Sequence, residues 1–341
     1  MKAVAIKDVK QFEIIDVAEP KSDGKKVIIN VSKTGICGSD LHYWVNGAPK
    51  GLIMGHEFCG VVEDPGDRLD LVKGDRVTAL PLSPCGKCEA CRNGDIQFCA
   101  ETWNHAVGLS LDNPGGLTGK IAVRSDMVIK VPDSMQDEEV AMVEPMAVGL
   151  HAAHLGRIAV GDDVLVIGAG IIGLASAEFA KKEGASYVAI TETNKARGQK
   201  AVDLKVADEF YDATDKDLVQ KLMTKTNGGF DVVIECVGNG AAVNSAISMV
   251  KPGGIVVLVG VATDAVPTYT VMAVMKELVL QGAIAYTYNE FNACINLIAK
   301  KQIDVLKFVD DIVPLERVQE SYERLTSGSD AAVKILVDPK K

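Results

Sequence analysis

The chain has 341 residues, of which 48% are hydrophobic and 24% are charged, and its formal net charge is −10. This length corresponds to about two domains of roughly 100–200 residues, each large enough to bury a core. The acidic balance argues against nucleic acid or an anionic membrane as a partner, because both need a positive protein surface.

The first residues contain neither a long apolar region nor a small-residue cleavage site, so no secretory signal is expected. The longest uncharged run in its middle, residues 164–177, is shorter than the about 20 apolar residues that a membrane span needs. The sequence therefore predicts a cytoplasmic protein with no membrane partner.

The first part of the chain, up to about residue 150, is rich in short β-type segments. Gly, Pro and Asp separate them, as expected for strands joined by turns. The clearest segments are 27–31, 59–62, 75–79 and 127–131. This pattern predicts a barrel-like or sandwich-like all-β unit.

Candidate metal ligands lie within this β-rich part. They are Cys37, His56 next to Glu57, and Glu144. A cysteine, a histidine and a carboxylate binding one Zn²⁺ would leave its fourth position open, which is typical of a catalytic zinc site. Taken singly, Cys37 and His56 are equally compatible with ordinary buried residues.

Half of the eight cysteines are clustered in one short stretch: Cys85, Cys88, Cys91 and Cys99. Such spacing in a cytoplasmic chain indicates metal rather than disulfides. Four thiolates fill a zinc tetrahedron completely, so this zinc would be structural. An iron–sulfur cluster is the metal alternative, and chance clustering is the remaining one.

From about residue 163 onward, apolar strands alternate with helical segments. The predicted strands are 164–167, 187–191, 231–235 and 255–260, and predicted helices follow the first two, ending near residue 183 and spanning 195–202. Apolar strands separated by helices predict a parallel sheet covered on both faces.

The first of these strands runs into a G-x-G-x-x-G turn. Gly168 permits the tight turn, Gly170 lets the backbone approach a pyrophosphate, and Gly173 lets the helix pack closely. The helix begins at Ile171 and Ile172, where unpaired N–H groups and the positive end of the helix dipole favour phosphate. The turn therefore predicts a dinucleotide site.

An acid follows at the end of the next predicted strand. Glu192 is placed to accept hydrogen bonds from the adenosine ribose, and its charge disfavours the extra phosphate of NADP, so NAD is predicted. Arg197 is a candidate partner for NAD phosphate or ribose oxygens, although a surface role fits it nearly as well.

The last segment contains predicted helices at 291–301 and 315–326 and a strand at 333–337. We expect it to return to the first domain. The predicted organisation is a catalytic domain of residues 1–152 with 291–341, and a dinucleotide-binding domain of residues 153–290.

Together these motifs resemble the zinc-dependent medium-chain alcohol dehydrogenase superfamily over essentially the whole chain. Within it, Glu144-Pro145 resembles the group of sorbitol (polyol), 2,3-butanediol and threonine dehydrogenases. The motifs that carry the resemblance are 35–42, 55–57, the four-cysteine stretch, 143–151 and 168–173.

The resemblance implies a GroES-like β-rich domain and a Rossmann domain, with the active site in the cleft between them. It implies Cys37, His56 and either Glu57 or Glu144 as ligands of a catalytic zinc, with a structural zinc in the cysteine stretch. A secondary alcohol would lose hydride to NAD, and its proton would leave through Ser39 and then His42.

In the same picture, a second substrate hydroxyl would reach zinc or Glu144, which would favour vicinal diols. The implied partners are a small alcohol or polyol and further copies of the chain, as a homodimer or homotetramer. A threonine-type dehydrogenase, a zinc-independent quinone or enoyl reductase of the same fold, and a non-enzymatic binding module are the alternatives.

Overall fold

The structure, a computed structural model, describes residues 1–262 and 264–341. It divides into two compact units, Met1–Glu144 with Thr287–Lys341, and Pro145–Tyr286. The C-terminal segment thus belongs to the first unit. The predicted boundaries at 152/153 and 290/291 fall inside two helices, where a regular sequence pattern gives no sign of a change in packing partners.

Strands form the sheets of the first unit and the central sheet of the second. In chain order they are β1 (Lys2–Asp8), β2 (Gln11–Asp16), β3 (Lys26–Gly35), β4 (Glu57–Asp64), β5 (Arg76–Ala79), β6 (Lys120–Arg124), β7 (Val128–Lys130), β8 (Asp163–Ile167), β9 (Tyr187–Glu192), β10 (Glu209–Asp212), β11 (Phe230–Glu235), β12 (Val250–Leu258), β13 (Val279–Gly282), β14 (Asp311–Val313) and β15 (Ile335–Val337).

Helices connect and cover these strands. They are α1 (Gly38–Asn46), α2 (Glu89–Asn93), α3 (Asp137–Ala141), α4 (Val143–Gly156), α5 (Ile171–Glu183), α6 (Lys195–Asp203), α7 (Leu218–Lys225), α8 (Gly240–Met249), α9 (Thr270–Met275), α10 (Tyr288–Ala299) and α11 (Val318–Ser327). No described helix has the length and apolar character needed to cross a bilayer.

The main sheet of the first unit is seven-stranded, in the order β14-β15-β3-β4-β5-β7, with β6 also paired to β3. β3 and β4 are antiparallel, and their register sets Gly35 opposite Glu57. β15 pairs with β3 on the other side, with Leu336 opposite Gly35. The end of β3, the start of β4 and the start of β15 therefore meet at one edge of the sheet.

A hydrophobic core lies beneath this edge. It joins α1 to α11, where Trp44 and Tyr322 pack edge to face with ring centroids 5.8 Å apart. Both side chains are buried. This aromatic packing holds α1, and the residues at its N-terminus, against the rest of the unit.

The second unit contains a six-stranded sheet in the order β10-β9-β8-β11-β12-β13. All of its strand pairs are parallel. The chain starts in the middle at β8, builds outward through β9 and β10, and then crosses to β11. This arrangement is that of a Rossmann fold, and it confirms the predicted parallel sheet.

Candidate active site

Three of the predicted zinc ligands are brought together at the shared edge of the first sheet. Cys37 follows β3 and precedes α1, whereas His56 and Glu57 stand at the start of β4. One potential ligand atom from each lies within 4.8 Å of the other two. A thiolate, an imidazole and a carboxylate are the donors that zinc prefers, and three of them leave one position open.

Asp40 links two of these ligands, a role that the sequence analysis missed. Its Oδ2 accepts a hydrogen bond of 3.1 Å from the Cys37 backbone N–H, and its Oδ1 lies 3.3 Å from His56 Nδ1. The side chain is fully buried. Since Nδ1 faces Asp40, Nε2 is the nitrogen available to a metal, as in carboxylate–histidine–zinc arrangements.

The electrostatics of this cluster favour a cation. Burial lowers the pKa of the His56 imidazole, but the charges of Asp40 and Cys37 outweigh it and raise that pKa well above its ordinary value. A divalent metal bound by the neutral imidazole supplies positive charge at the same point. The donor set and its charge therefore both fit zinc.

Glu144 is not part of this three-residue group among the described residues. It lies in the first turn of α4, at the last position of the first unit before the chain enters the second. The group contains Glu57 as its carboxylate. The predicted roles of Glu144 toward zinc or a second hydroxyl stay predictions.

The proposed proton relay lies on the same helix as Asp40. Ser39 is half-buried and His42 is exposed, three residues apart on α1. Residues with this spacing lie on one side of a helix. The relay remains a prediction, and the exposure of His42 suits its predicted place at the solvent end.

The four clustered cysteines form a second potential metal site around α2. Their four Sγ atoms all lie within 4.8 Å of one another, with Cys88 and Cys91 3.4 Å apart. Every cysteine of the chain is a free thiol. Four sulfurs converging in this way can close a tetrahedron around one ion.

A backbone N–H group in this cluster stabilises the thiolate form of a cysteine. The Cys85 N–H points at Cys99 Sγ, 3.3 Å away, and this contact is the main reason that the pKa of Cys99 falls to about 6. Burial raises the pKa of Cys91 to about 12. A bound cation is what would hold all four residues as thiolates at neutral pH.

The glycine turn has the geometry that its sequence predicts. Gly168 adopts a φ of 101°, a conformation that favours glycine. A Cβ on Gly173 would lie 1.9 Å from the Gly168 carbonyl oxygen, so only glycine lets α5 approach the turn this closely. Gly170 is the N-cap of α5, and Ile171 and Ile172 form its first turn.

Glu192 ends β9 next to this turn. Its Oε2 accepts a hydrogen bond from the Ala169 backbone N–H at 2.8 Å, and its Oε1 accepts from the Asn194 N–H at 2.9 Å. Arg197 lies in the first turn of α6, where its N–H donates to the Asn194 side chain. The acid thus stands at the carboxyl end of the sheet beside the predicted dinucleotide turn.

Comparison with known proteins agrees with both units. Residues 23–133 match the family described as alcohol dehydrogenase GroES-like domain, and residues 172–300 match zinc-binding dehydrogenase. Sorbitol dehydrogenase of Bacillus subtilis is 32% identical, with 100% of this chain and 98% of the relative covered. (R,R)-butanediol dehydrogenase of Neisseria gonorrhoeae is 34% identical, with 99% of each chain covered.

Among solved structures, a Sinorhizobium meliloti protein described as a zinc-binding dehydrogenase, bound to NADP, superimposes with a TM-score of 0.89. It shares 28% identity, and 99% of each chain is covered. The first unit is thus GroES-like and the second is Rossmann-like. The protein is an enzyme of the alcohol dehydrogenase class. The chain belongs to the zinc-dependent medium-chain alcohol dehydrogenase superfamily, in its polyol and diol group.

This membership supports zinc and NAD(P) as the cofactors and a small molecule as the substrate. It excludes the alternative of a non-enzymatic binding module. The zinc-independent reductase also loses support, because the family is a zinc-binding one and the chain brings together two sets of zinc-type ligands.

Proposed function

We propose that the protein catalyses the NAD-linked, zinc-dependent oxidation of a secondary alcohol on a small diol or polyol to the ketone. The observation that carries this proposal is the convergence of Cys37, His56 and Glu57 within 4.8 Å. The sorbitol and butanediol dehydrogenases among the relatives support a substrate with neighbouring hydroxyl groups. A threonine-type hydroxy acid is the alternative substrate.

Cys37, His56 and Glu57 would hold the catalytic zinc, and Asp40 would fix the His56 ring. When bound there, zinc supplies the Lewis acidity that makes the deprotonated alcohol accessible near neutral pH, and NAD accepts the hydride. Ser39 would take the hydroxyl proton and pass it to the exposed His42, which releases it to water. Glu144 is proposed to receive the second hydroxyl of a diol.

The cofactor preference is proposed to be NAD rather than NADP. The Glu192 carboxylate, at the end of β9, would accept hydrogen bonds from the ribose hydroxyls and repel a 2′-phosphate. Arg197 is proposed to bind a phosphate or ribose oxygen. The variant Glu192→Ala should have a kcat/KM for NAD that is lower by about 10-fold, the cost of roughly one charge-assisted hydrogen bond. The difference in kcat/KM between NAD and NADP should become smaller. An unchanged NAD to NADP ratio would remove this role.

Cys85, Cys88, Cys91 and Cys99 are proposed to hold a structural zinc. Because all four positions of the ion would be filled by thiolates, no position remains for substrate. The chain is therefore proposed to bind two zinc ions, one catalytic and one structural.

Self-association is proposed through the edge of the second sheet. β13 is the terminal strand of that sheet in the described part of the chain, and the preceding α9 exposes Val271, Val274 and Met275. An open edge beside apolar side chains is suited to pairing with a second copy. We propose a homodimer or homotetramer in the cytoplasm, which light scattering of the wild type and of Val274→Asp would test.

The experiment that tests the function is an NAD-reduction screen over polyols, vicinal diols and threonine, with and without chelator, together with a zinc count. Two zinc ions per chain and chelator-sensitive oxidation of a diol or polyol are the expected results. Oxidation of threonine alone would favour the alternative substrate. Activity that persists in metal-free protein would contradict the zinc mechanism.

A further inference from the structure

A lysine is buried directly beside the predicted zinc ligands. Lys334 immediately precedes β15, and its side chain is completely buried. Its Nζ donates to Glu57 Oε1 at 2.7 Å, to Glu57 Oε2 at 2.6 Å and to the Ile36 carbonyl at 2.9 Å. An ammonium group has three N–H donors, so these contacts account for all of them.

The contacts connect the two segments that carry the zinc ligands. Ile36 precedes Cys37, and Glu57 follows His56. A buried ammonium without partners costs several kcal/mol, so this lysine depends on the Glu57 carboxylate and the Ile36 carbonyl. The same contacts fix where the carboxylate of Glu57 lies.

Gly35 also confines the carboxylate. A Cβ at this position would lie 1.9 Å from Glu57 Oε2. Glu57 is itself fully buried. The carboxylate is therefore close to both the glycine backbone and the ammonium group, and these contacts restrict how it can turn toward an ion at Cys37 and His56.

The charges around the predicted zinc site indicate how the contact between Lys334 and Glu57 affects metal binding. The Cys37 thiolate, the Glu57 carboxylate and the Asp40 carboxylate beside His56 would bring three negative charges to a divalent ion, and Lys334 supplies one positive charge that offsets one of them. Hydrogen bonds from the ammonium to both carboxylate oxygens compete with the ion for their lone pairs. They disfavour binding through both oxygens, which would fill the open position of the metal.

We propose that Lys334 is a positioning residue that restricts Glu57 to weak, single-oxygen binding and so keeps the fourth coordination position of the catalytic zinc open. The inference rests on the proposed function, because it needs zinc at Cys37 and His56. It assigns to a residue near the C-terminus control over the site where the alcohol binds.

The test uses the full-length protein loaded with Co²⁺, whose visible absorption reports the ligands of the metal. Imidazole serves as a probe of the open position. In Lys334→Met, Glu57 is released to the ion, so the affinity for imidazole should fall about 10-fold, an effect typical of residues behind metal ligands. The variant should also lose metal to a chelator more slowly than the wild type.

Two controls separate this role from a merely structural one. Lys334→Arg keeps the positive charge and the N–H donors, so its affinity for imidazole should be closer to that of the wild type than the affinity of Lys334→Met is. Lys33→Met makes the same change at a less deeply buried lysine, whose ion-pair partners are Asp338 at 3.2 Å and Glu138 at 3.5 Å, and should leave the cobalt spectrum unchanged.

Removing a buried charge can prevent folding, so a second pair of variants is included. Glu57→Gln and the double variant Lys334→Met with Glu57→Gln should have the same imidazole affinity, because Lys334 acts through Glu57. Different affinities in that pair would overturn the proposal. Unchanged imidazole affinity or faster metal loss in a folded Lys334→Met would overturn it as well.

The proposed function fails in a different way. A wild type that takes up only one metal ion per chain, in the four-cysteine cluster, would contradict the catalytic zinc before any variant is compared. With two ions bound, the cobalt spectra of the variants decide the role of Lys334 alone.

Discussion

The two metal-ligand clusters differ in where their residues come from and in what surrounds them. Cys85, Cys88, Cys91 and Cys99 come from one continuous stretch and mostly remain partly exposed. Cys37, His56 and Glu57 come from two segments joined by strand pairing, and two of them are buried. The first cluster offers a full set of identical donors, whereas the second offers three different donors and an open position.

The difference matches the separate requirements of a closed site that stabilises a loop and an open site that binds a substrate. A closed set of thiolates stabilises a loop, and local chain geometry is enough to build it. An open site must orient its ligands and control its charge, and it therefore needs neighbours such as Asp40 behind them. Substitutions in the open site should therefore lower turnover, whereas substitutions in the four-cysteine cluster should lower thermal stability.

The largest expected effect comes from removing a ligand of the open site. His56→Ala or Cys37→Ser should lower NADH formation by more than about 10³-fold, because a metal Lewis acid supplies several kcal/mol of transition-state stabilisation. NAD binding, measured by calorimetry, should persist. Cys294→Ser, at a buried cysteine of α10, is the matched control and should retain turnover.

If either ligand variant kept wild-type turnover, the open site would not be catalytic and the contrast between the clusters would disappear. Loss of NAD binding in the same variants would instead indicate a general folding defect.

A smaller effect is expected from the residue behind the ligands. Asp40→Asn removes the charge that faces His56 and should weaken zinc binding at this site about 10–100-fold, measured by competition with a chelator. Glu139→Gln is a close control, since Glu139 and Asp40 both occupy the third position of a helix in a capping box. Equal zinc loss in both variants would show that helix capping, not the contact with His56, explains the effect.

The sequence predicts the parts of each cluster whose residues lie close together in the chain. The cysteine spacing and the glycine turn lie within short stretches, and both have the expected geometry. The sequence does not distinguish Glu57 from Glu144 as a ligand, and the closeness of Glu57 to Cys37 depends on the β3–β4 register that sets Gly35 opposite Glu57. No spacing rule supplies that register before the fold is known.

The residues that surround the open site were harder to find. Lys334 stands out as a charged residue in an apolar strand segment, but its partner Glu57 is 277 positions away in the chain. Asp40 lies three residues after Cys37, a spacing typical of a capping acid, and this was its only signal. The fold itself was predictable because the apolar strands and the turn signals between them are strong.

The proton relay should have a still smaller effect. Ser39→Ala or His42→Ala should lower kcat only about 10-fold, below the roughly 100-fold typical of a general base, because His42 is exposed and water can replace it. Higher concentrations of phosphate buffer should restore part of the rate. Tyr43→Phe, at the exposed neighbour of His42, is the control. Rates of both relay variants equal to the wild type at all buffer concentrations would exclude the relay.

The smallest effect on turnover is expected in the four-cysteine cluster. Cys99→Ser removes the thiol that the Cys85 N–H prepares for metal, so the structural zinc should be lost while the rate at room temperature stays within about 2-fold. Unfolding should instead occur at a temperature lower by roughly 5–10 °C, corresponding to about 2–4 kcal/mol. Zinc analysis and calorimetry measure both quantities. If Cys99→Ser kept one zinc and its melting temperature but lost turnover, the closed cluster would take part in catalysis, and its contrast with the open site would fail.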